Sequence, residues 1–147
     1  MLGYLQRGQQ SQPLHNRLML LWAGTKLPAA VSAETRKAIV TDALRTQHSD
    51  GGWSMESLGP FQEHAAAPPS TGSNAYPTAL TAFVLEQAGV PKTDPKLAKA
   101  LAWLRSHQDS AGYWDASSMN KKFPAESMMV QFMRDAATAF AVLALAE

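Results

Sequence analysis

The chain has 147 residues, 46% hydrophobic and 17% charged, which is the composition of about one globular domain rather than a disordered segment. Its formal net charge is +1, and the 13 basic and 12 acidic residues form no basic stripe, which argues against nucleic-acid binding. The absence of cysteine excludes disulfides, thiolate nucleophiles and any zinc site that needs a thiolate.

The N-terminal part shows no secretory signal, which makes a cytoplasmic location the default expectation. No run approaches the roughly 20 apolar residues of a membrane span, so no transmembrane segment is predicted. Residues 1–13 are polar and rich in glutamine, and they predict an N-terminal arm. Residues 14–147 predict a single helical domain.

Five helices are predicted in chain order, over residues 14–25, 32–47, 75–89, 94–108 and 134–147. Ser32 and Asp94 are good N-caps, because a side-chain oxygen can accept a hydrogen bond from a first-turn amide. The first, third and fifth helices are broadly apolar, whereas the second and fourth are amphipathic. A helix that is apolar all round must be covered all round. We therefore predict two layers, with the apolar helices inside.

Two stretches between the helices are predicted to be irregular, residues 54–74 and 116–130. The first contains Gly59-Pro60, Pro68-Pro69 and a run of small residues. A loop of this length without its own structure is either functional or mobile. A mobile insertion is the preferred interpretation of residues 54–74.

Two matching heptapeptides follow the two amphipathic helices, and each pair of equivalent residues is 61 positions apart. A fixed period of this kind indicates a repeat architecture. A glutamine amide donates and accepts hydrogen bonds at once, and its flat surface can lie on an indole ring. The residues predicted to form this structural motif are Gln47, Gly51 and Trp53 in the first copy and Gln108, Gly112 and Trp114 in the second.

The stretch Lys99-Ala100-x-x-Trp103-Leu104-x-x-x-Gln108-x-x-x-Gly112-x-Trp114 resembles the QW repeat of triterpene cyclases such as squalene–hopene cyclase. The upstream copy keeps the second half of that motif. The apolar segments 76–83 and 136–143 resemble the Thr-Ala-rich inner helices of the same superfamily, which also contains protein prenyltransferase β subunits. The resemblance covers residues 14–147 and implies an all-α, α/α toroid fold with about two and a half helix pairs of an incomplete ring. Either the chain is the terminal part of a larger protein, or copies of it associate.

The resemblance implies a parent protein that binds or processes an isoprenoid, although catalytic residues of the superfamily are missing. Cyclases of this type place an Asp-x-Asp-Asp cluster just before the Thr-Ala of an inner helix. Here Asp135 alone precedes Thr138, and an acid at a helix N-terminus is its preferred interpretation. The prenyltransferase zinc set includes a cysteine, and His15, His48, His64 and His107 show no paired ligand spacing. We therefore predict no metal, no cofactor and no catalysis by this chain alone.

Four aromatic residues on the predicted inner helices are candidates for a ligand pocket: Trp22, Tyr76, Phe83 and Phe140. In the superfamily such side chains line a prenyl or triterpene pocket and stabilise cations through their ring faces. The alternative is that they form ordinary helix-packing core. Three functions stay open: a toroid segment of an isoprenoid protein, a non-catalytic interaction or scaffold module, and a carrier of a small apolar ligand.

Overall fold

The computed structural model describes residues 8–62, 64–68 and 72–146. Within these ranges the chain forms five α-helices and no strand, which confirms the all-α prediction. The helices are α1 (Leu14–Lys26), α2 (Ala33–Arg45), α3 (Ala75–Gln87), α4 (Pro95–Ser106) and α5 (Met128–Leu145). Residues 1–7 of the predicted arm lie outside the described residues, and Gln9–Ser11 forms a short 3-10 helix.

Both predicted N-caps form. The Ser32 hydroxyl accepts a hydrogen bond of 3.1 Å from the Thr35 amide at the start of α2. The Asp94 carboxylate accepts from the amides of Lys96 and Leu97 at 2.9 and 3.2 Å, at the start of α4. Each cap satisfies amides that have no partner inside the helix. These two boundaries therefore follow from local sequence.

The five helices pack in two layers around α3. Helix α3 is buried along nearly its whole length and contacts both α1 and α5. The amphipathic helices cover this layer, because α2 packs on α1 and α4 packs on α3. We call α1, α3 and α5 the inner layer and α2 and α4 the outer layer. An apolar helix needs neighbours on every side, and only α3 has them.

Helix α5 begins at Met128, earlier than the predicted start at residue 134. Ser127 caps it by accepting from the Val130 amide at 3.4 Å. The correction changes the interpretation of Asp135, which lies in the middle of α5 and is exposed. The prediction that Asp135 is stabilised by a helix N-terminus is therefore wrong, since that effect is confined to the first turn.

The first part of the long loop has structure of its own, contrary to the expectation for residues 54–74. Ser54 and Ser57 exchange hydrogen bonds, each hydroxyl accepting from the other residue's amide at 3.0–3.1 Å. Leu58 is completely buried. The Gly59 carbonyl accepts from the Leu14 amide at 3.3 Å and so anchors this segment to the start of α1. The segment forms one wall of a cavity.

Helix α5 has the length and composition of a membrane span, with a mean hydropathy of 1.3 over its 18 residues, 17% of them buried. Core helices of soluble proteins and signal sequences meet the same criteria, so one such helix is weak evidence for a membrane span. The absence of a transmembrane segment stays a prediction.

Candidate functional site

The four candidate aromatic residues meet in one cluster that joins all three inner helices. Trp22 of α1 contacts Phe83 of α3 and Phe140 of α5 edge to face, with ring centroids 5.2 and 6.1 Å apart. Phe140 also contacts Phe83 at 6.0 Å and Tyr76 at 5.9 Å. Edge-to-face contacts at these distances add to the stabilisation from burial. Phe140 is thus the centre of the cluster.

His15 extends the cluster, a role that was not predicted for it. Its Nε2 lies 3.1 Å from the Tyr76 hydroxyl, and its ring contacts Phe61 edge to face at 6.2 Å. Burial raises the pKa of Tyr76, so its hydroxyl stays neutral around pH 7. The repeat contained a signal for this contact: His15 and Tyr76 are 61 residues apart, as are Trp22 and Phe83.

Tyr76 and Phe140 line an open, mainly apolar cavity of about 390 Å³. Its walls come from α3, α5 and the loop segments on either side, through Met55, Asn74, Tyr76, Ala116, Ser117, Met119, Phe132, Met133, Ala136 and Phe140. A second cavity of about 190 Å³ shares Met55 and Met119 with it and extends past Phe61. Trp22 and Phe83 line neither cavity and pack behind Phe140. The four candidates therefore divide into two lining residues and two core residues.

Most of the remaining lining residues were missed because they lie on segments that were not predicted to be helical. Met55 and Met119 are in loops, and Phe132 and Met133 lie in the part of α5 that was predicted as loop or boundary. Methionine is flexible and polarizable, so it can adapt its shape to an apolar ligand.

The two heptapeptide turns form the same set of hydrogen bonds. The indole N–H of Trp53 donates to the Ala43 carbonyl at 2.8 Å, and that of Trp114 donates to the Leu104 carbonyl at 2.8 Å. Both carbonyls lie ten residues before their tryptophan, in the outer helix that precedes the turn. Both indoles are buried, Trp53 completely and Trp114 to within 2%. Each turn is thereby fixed to its outer helix.

The turns are also fixed to the following inner helix. The Trp53 amide donates to the Thr78 hydroxyl at 2.9 Å, and the Trp114 amide donates to the Thr138 hydroxyl at 3.1 Å. Gly51 and Gly112 have φ angles of +102° and +92°, in the left-handed region that favours glycine. The threonine of each Thr-Ala inner helix thus holds the turn that precedes it.

Asp50 of the first turn lies near His48 and Ser73, but these three residues do not form a catalytic triad. Ser73 donates directly to Asp50 Oδ1 at 2.7 Å, and His48 Nδ1 lies 3.3 Å from the same hydroxyl. A serine nucleophile needs the histidine between the hydroxyl and the carboxylate. Burial would raise the pKa of Asp50, but hydrogen bonds from Ser73, the Gly52 amide and Trp103, together with the His48 charge, lower it. The cluster stabilises the turn.

Asp135 lines neither cavity, so the structure gives it no catalytic role. Its neighbour Arg134 instead pairs with Asp115 and lies over the Tyr113 ring, 4.4 Å from the ring centroid. Over the described part of the chain, no group of three His, Asp or Glu side chains is arranged to hold a metal ion.

Compared with protein-family models, curated proteins and solved structures, the chain has no match in any of the three.

Proposed function

We propose that this chain is a segment of an α/α toroid of the squalene-cyclase and prenyltransferase type, and that it binds an isoprenoid without transforming it. The observation that carries the proposal is the aromatic cluster around Phe140, which opens into the larger apolar cavity through Tyr76 and Phe140. Such a site combines a rigid aromatic back wall with a flexible, methionine-containing entrance.

The toroid part of the proposal is supported by the repeated helix-turn-helix unit. Outer helix, heptapeptide turn and inner helix recur twice, with the same indole-to-carbonyl and amide-to-threonine hydrogen bonds. The inner helices α1 and α5 both contact α3, while the outer helix α2 packs on α1 and the outer helix α4 packs on α3. Repetition of such a unit is how solenoid and toroid architectures build a continuous core.

The ligand class is supported by the size and chemistry of the cavities. The larger cavity, of about 390 Å³, lies within the roughly 300–1,000 Å³ of typical ligand sites. Its apolar walls suit a branched hydrocarbon chain, and Met55 and Met119 also line the smaller cavity beside it. Tyr76, Asn74 and Ser117 are polar groups at the same wall that can hydrogen-bond a terminal hydroxyl.

The absence of catalysis is part of the proposal. Protonating an alkene needs an acid within hydrogen-bond reach of the reacting carbon. Among the residues that the structure describes, no aspartate or glutamate lines the larger cavity. The smaller cavity contains Glu56, which lies in the exposed turn of the loop. Conversion of squalene to a cyclised product by the purified chain would refute this part.

The test is native mass spectrometry of the full chain titrated with farnesol and, separately, with squalene. We expect a one-to-one farnesol complex, with binding weakened about tenfold by Met119→Ser, since a polar group then replaces apolar wall. Met128→Ser is the matched control, because Met128 is 82% exposed and lines neither cavity. Failure of both compounds to bind, or equal weakening by the two substitutions, would contradict a ligand in this cavity.

A second candidate function, a protein-interaction module, is favoured by the exposed apolar side chains of α5. Met128, Met129, Phe132, Val142 and Leu143 are all large, apolar and 48–82% exposed. Large exposed apolar side chains concentrated on one helix are typical of an interaction site.

A further inference from the structure

The two heptapeptide turns differ in what covers them. The Gln47 amide nitrogen donates to the Gly51 carbonyl at 2.7 Å and to the Lys96 carbonyl, in the first turn of α4, at 2.8 Å. The Gln108 amide nitrogen donates to the Gly112 carbonyl at 2.9 Å. Gln108 is exposed, and no neighbouring outer helix lies over it in the described part of the chain. The first turn is joined to the next outer helix, and the second is not.

Two lysines of α4 complete the cover of the first turn. Lys96 Nζ donates to the Leu44 carbonyl at 2.5 Å, and Lys99 Nζ donates to the Ser49 carbonyl. The backbone of α4 lies so close to Gly51 that a Cβ there would be 2.9 Å from the Lys99 carbonyl oxygen. A Cβ at Gly112 would meet nothing within 4 Å. The space that α4 fills over the first turn is open over the second.

The inner layer is open at the same end. Counting from the equivalent Thr78 and Thr138, Ala82 corresponds to Val142 and Phe83 to Leu143. Ala82 is completely buried and Phe83 is 7% exposed, whereas Val142 is 55% and Leu143 48% exposed. Helix α3 has α4 and α5 packed on it, and α5 lacks both counterparts in the described structure. The covered surface of α3 and the first turn therefore shows how the exposed surface of α5 and the second turn could be covered.

We infer that α5 and the second turn form a docking site for one further outer helix of the α4 type, the next helix of the toroid. This inference rests on the proposed function. In the site, Gln108 donates to a first-turn carbonyl of the incoming helix. Lysines one turn apart donate to the carbonyls of Arg105 and Ser110, which correspond to Leu44 and Ser49. The apolar face of that helix covers Val142 and Leu143.

A second copy of this chain does not supply such a helix. In α2 the residues corresponding to Lys96 and Lys99 are Thr35 and Ala38, and Thr35 accepts a hydrogen bond from Gln9 at 2.9 Å. In α4 both lysines already bind carbonyls of their own chain. The required partner is an amphipathic helix with two free lysines one turn apart, near its N-terminus.

The test uses the full chain and a fluorescein-labelled synthetic peptide with the sequence of residues 92–107, which contains the whole of α4. Fluorescence anisotropy should show saturable binding. Binding should weaken at least about tenfold when the peptide carries Lys96→Glu and Lys99→Glu, because the carboxylates would then face backbone carbonyl oxygens. It should weaken by a similar factor when the chain carries Val142→Glu, because a charge would then be buried against the apolar face of the peptide. Leu27→Ser is the matched chain control, since Leu27 is also apolar and 62% exposed but follows α1.

Absence of binding by the unmodified peptide, or equal binding by the glutamate peptide, would overturn the inference. Titrating the same preparation with farnesol tests the proposed function independently of the docking site. If the chain binds farnesol but not the peptide, the docking site is refuted and the isoprenoid proposal stands. If it binds the peptide but not farnesol, the docking site is supported and the isoprenoid proposal is refuted.

Discussion

The two heptapeptide turns share their tryptophan hydrogen bonds but lie in two different environments. In both, a buried indole donates to a carbonyl of the preceding outer helix, and an inner-helix threonine accepts from the tryptophan amide. The first turn is also covered by α4, whereas the second is open. The comparison teaches that the bonds within one outer helix–turn–inner helix unit are enough to form the turn. The neighbouring outer helix is not needed for its geometry and adds stability to it. Equivalent substitutions in the two turns should therefore lower the free energy of unfolding equally where they remove a bond that both turns form. They should lower it by different amounts where they disturb the contact with α4, which only the first turn makes.

The largest effects are expected at the two tryptophans, which belong to the repeat itself. Trp53→Ala and Trp114→Ala should each lower the free energy of unfolding by about 3–5 kcal/mol, the range for truncating a buried aromatic side chain. Both indoles are buried and both lose a 2.8 Å hydrogen bond to a helix carbonyl. Urea unfolding followed by circular dichroism measures both. A loss near zero at Trp114 would show that the second turn does not hold α4.

The next largest effect is a difference between the two glycines. Gly51→Ala should cost about 2–4 kcal/mol, from a positive φ and from overpacking against α4. Gly112→Ala should cost about 1–2 kcal/mol, because it has the positive φ alone. The added methyl group meets Lys99 in the first case and open space in the second. Thermal denaturation of the two variants compares them, and equal losses would mean that α4 does not press on the first turn.

A smaller difference is expected at the glutamines. Gln47→Ala removes the bond to the α4 carbonyl as well as the bond within the turn, and Gln108→Ala removes the bond within the turn. At about 1 kcal/mol per hydrogen bond, Gln47→Ala should cost roughly 1 kcal/mol more than Gln108→Ala. Chemical denaturation resolves this gap. A larger loss of unfolding free energy for Gln108→Ala than for Gln47→Ala would contradict the stabilising bond to α4.

The smallest effect is a pH dependence confined to the first turn, because the residue corresponding to Asp50 is Ala111. The hydrogen bonds to Asp50 lower its pKa below the ordinary 3.8 in spite of partial burial. A carboxyl group with a lowered folded-state pKa stabilises the fold above its unfolded pKa, and this contribution is lost as pH falls through the folded pKa. Asp50→Asn should therefore destabilise the chain at about pH 6 and progressively less below about pH 4. A deficit that stays constant with pH would contradict the role of the charge.

The parts of the fold that the sequence predicts are those specified within a few residues or by the repeat. Ser32 and Asp94 define helix starts through their own side chains, and the 61-residue period identifies the two matching turns. The start of α5 was missed because its cap, Ser127, follows an irregular stretch that also contains Lys121-Lys122 and Pro124.

The candidate site was only partly predictable for a different reason. Phe140 and Tyr76 could be chosen because they lie on helices identified from their apolar pattern. Met55 and Met119 come from loops 64 residues apart that meet across the cavity, and no local pattern records such a contact. His15 belongs to the repeat, but one histidine at the position of a tyrosine is too weak a match to recognise without the structure.

The central claim is that the two turns are one structural unit, covered in the first copy and open in the second. Native-state hydrogen exchange tests it directly through the equivalent amides of Gly51 and Gly112, which donate to the carbonyls of His48 and Asp109 at 3.0 and 2.8 Å. We predict slower exchange at Gly51 than at Gly112 in the free chain, since opening the first turn requires α4 to detach. Adding the peptide of residues 92–107 should slow Gly112 toward Gly51. Equal exchange at the two amides in the free chain would contradict the claim.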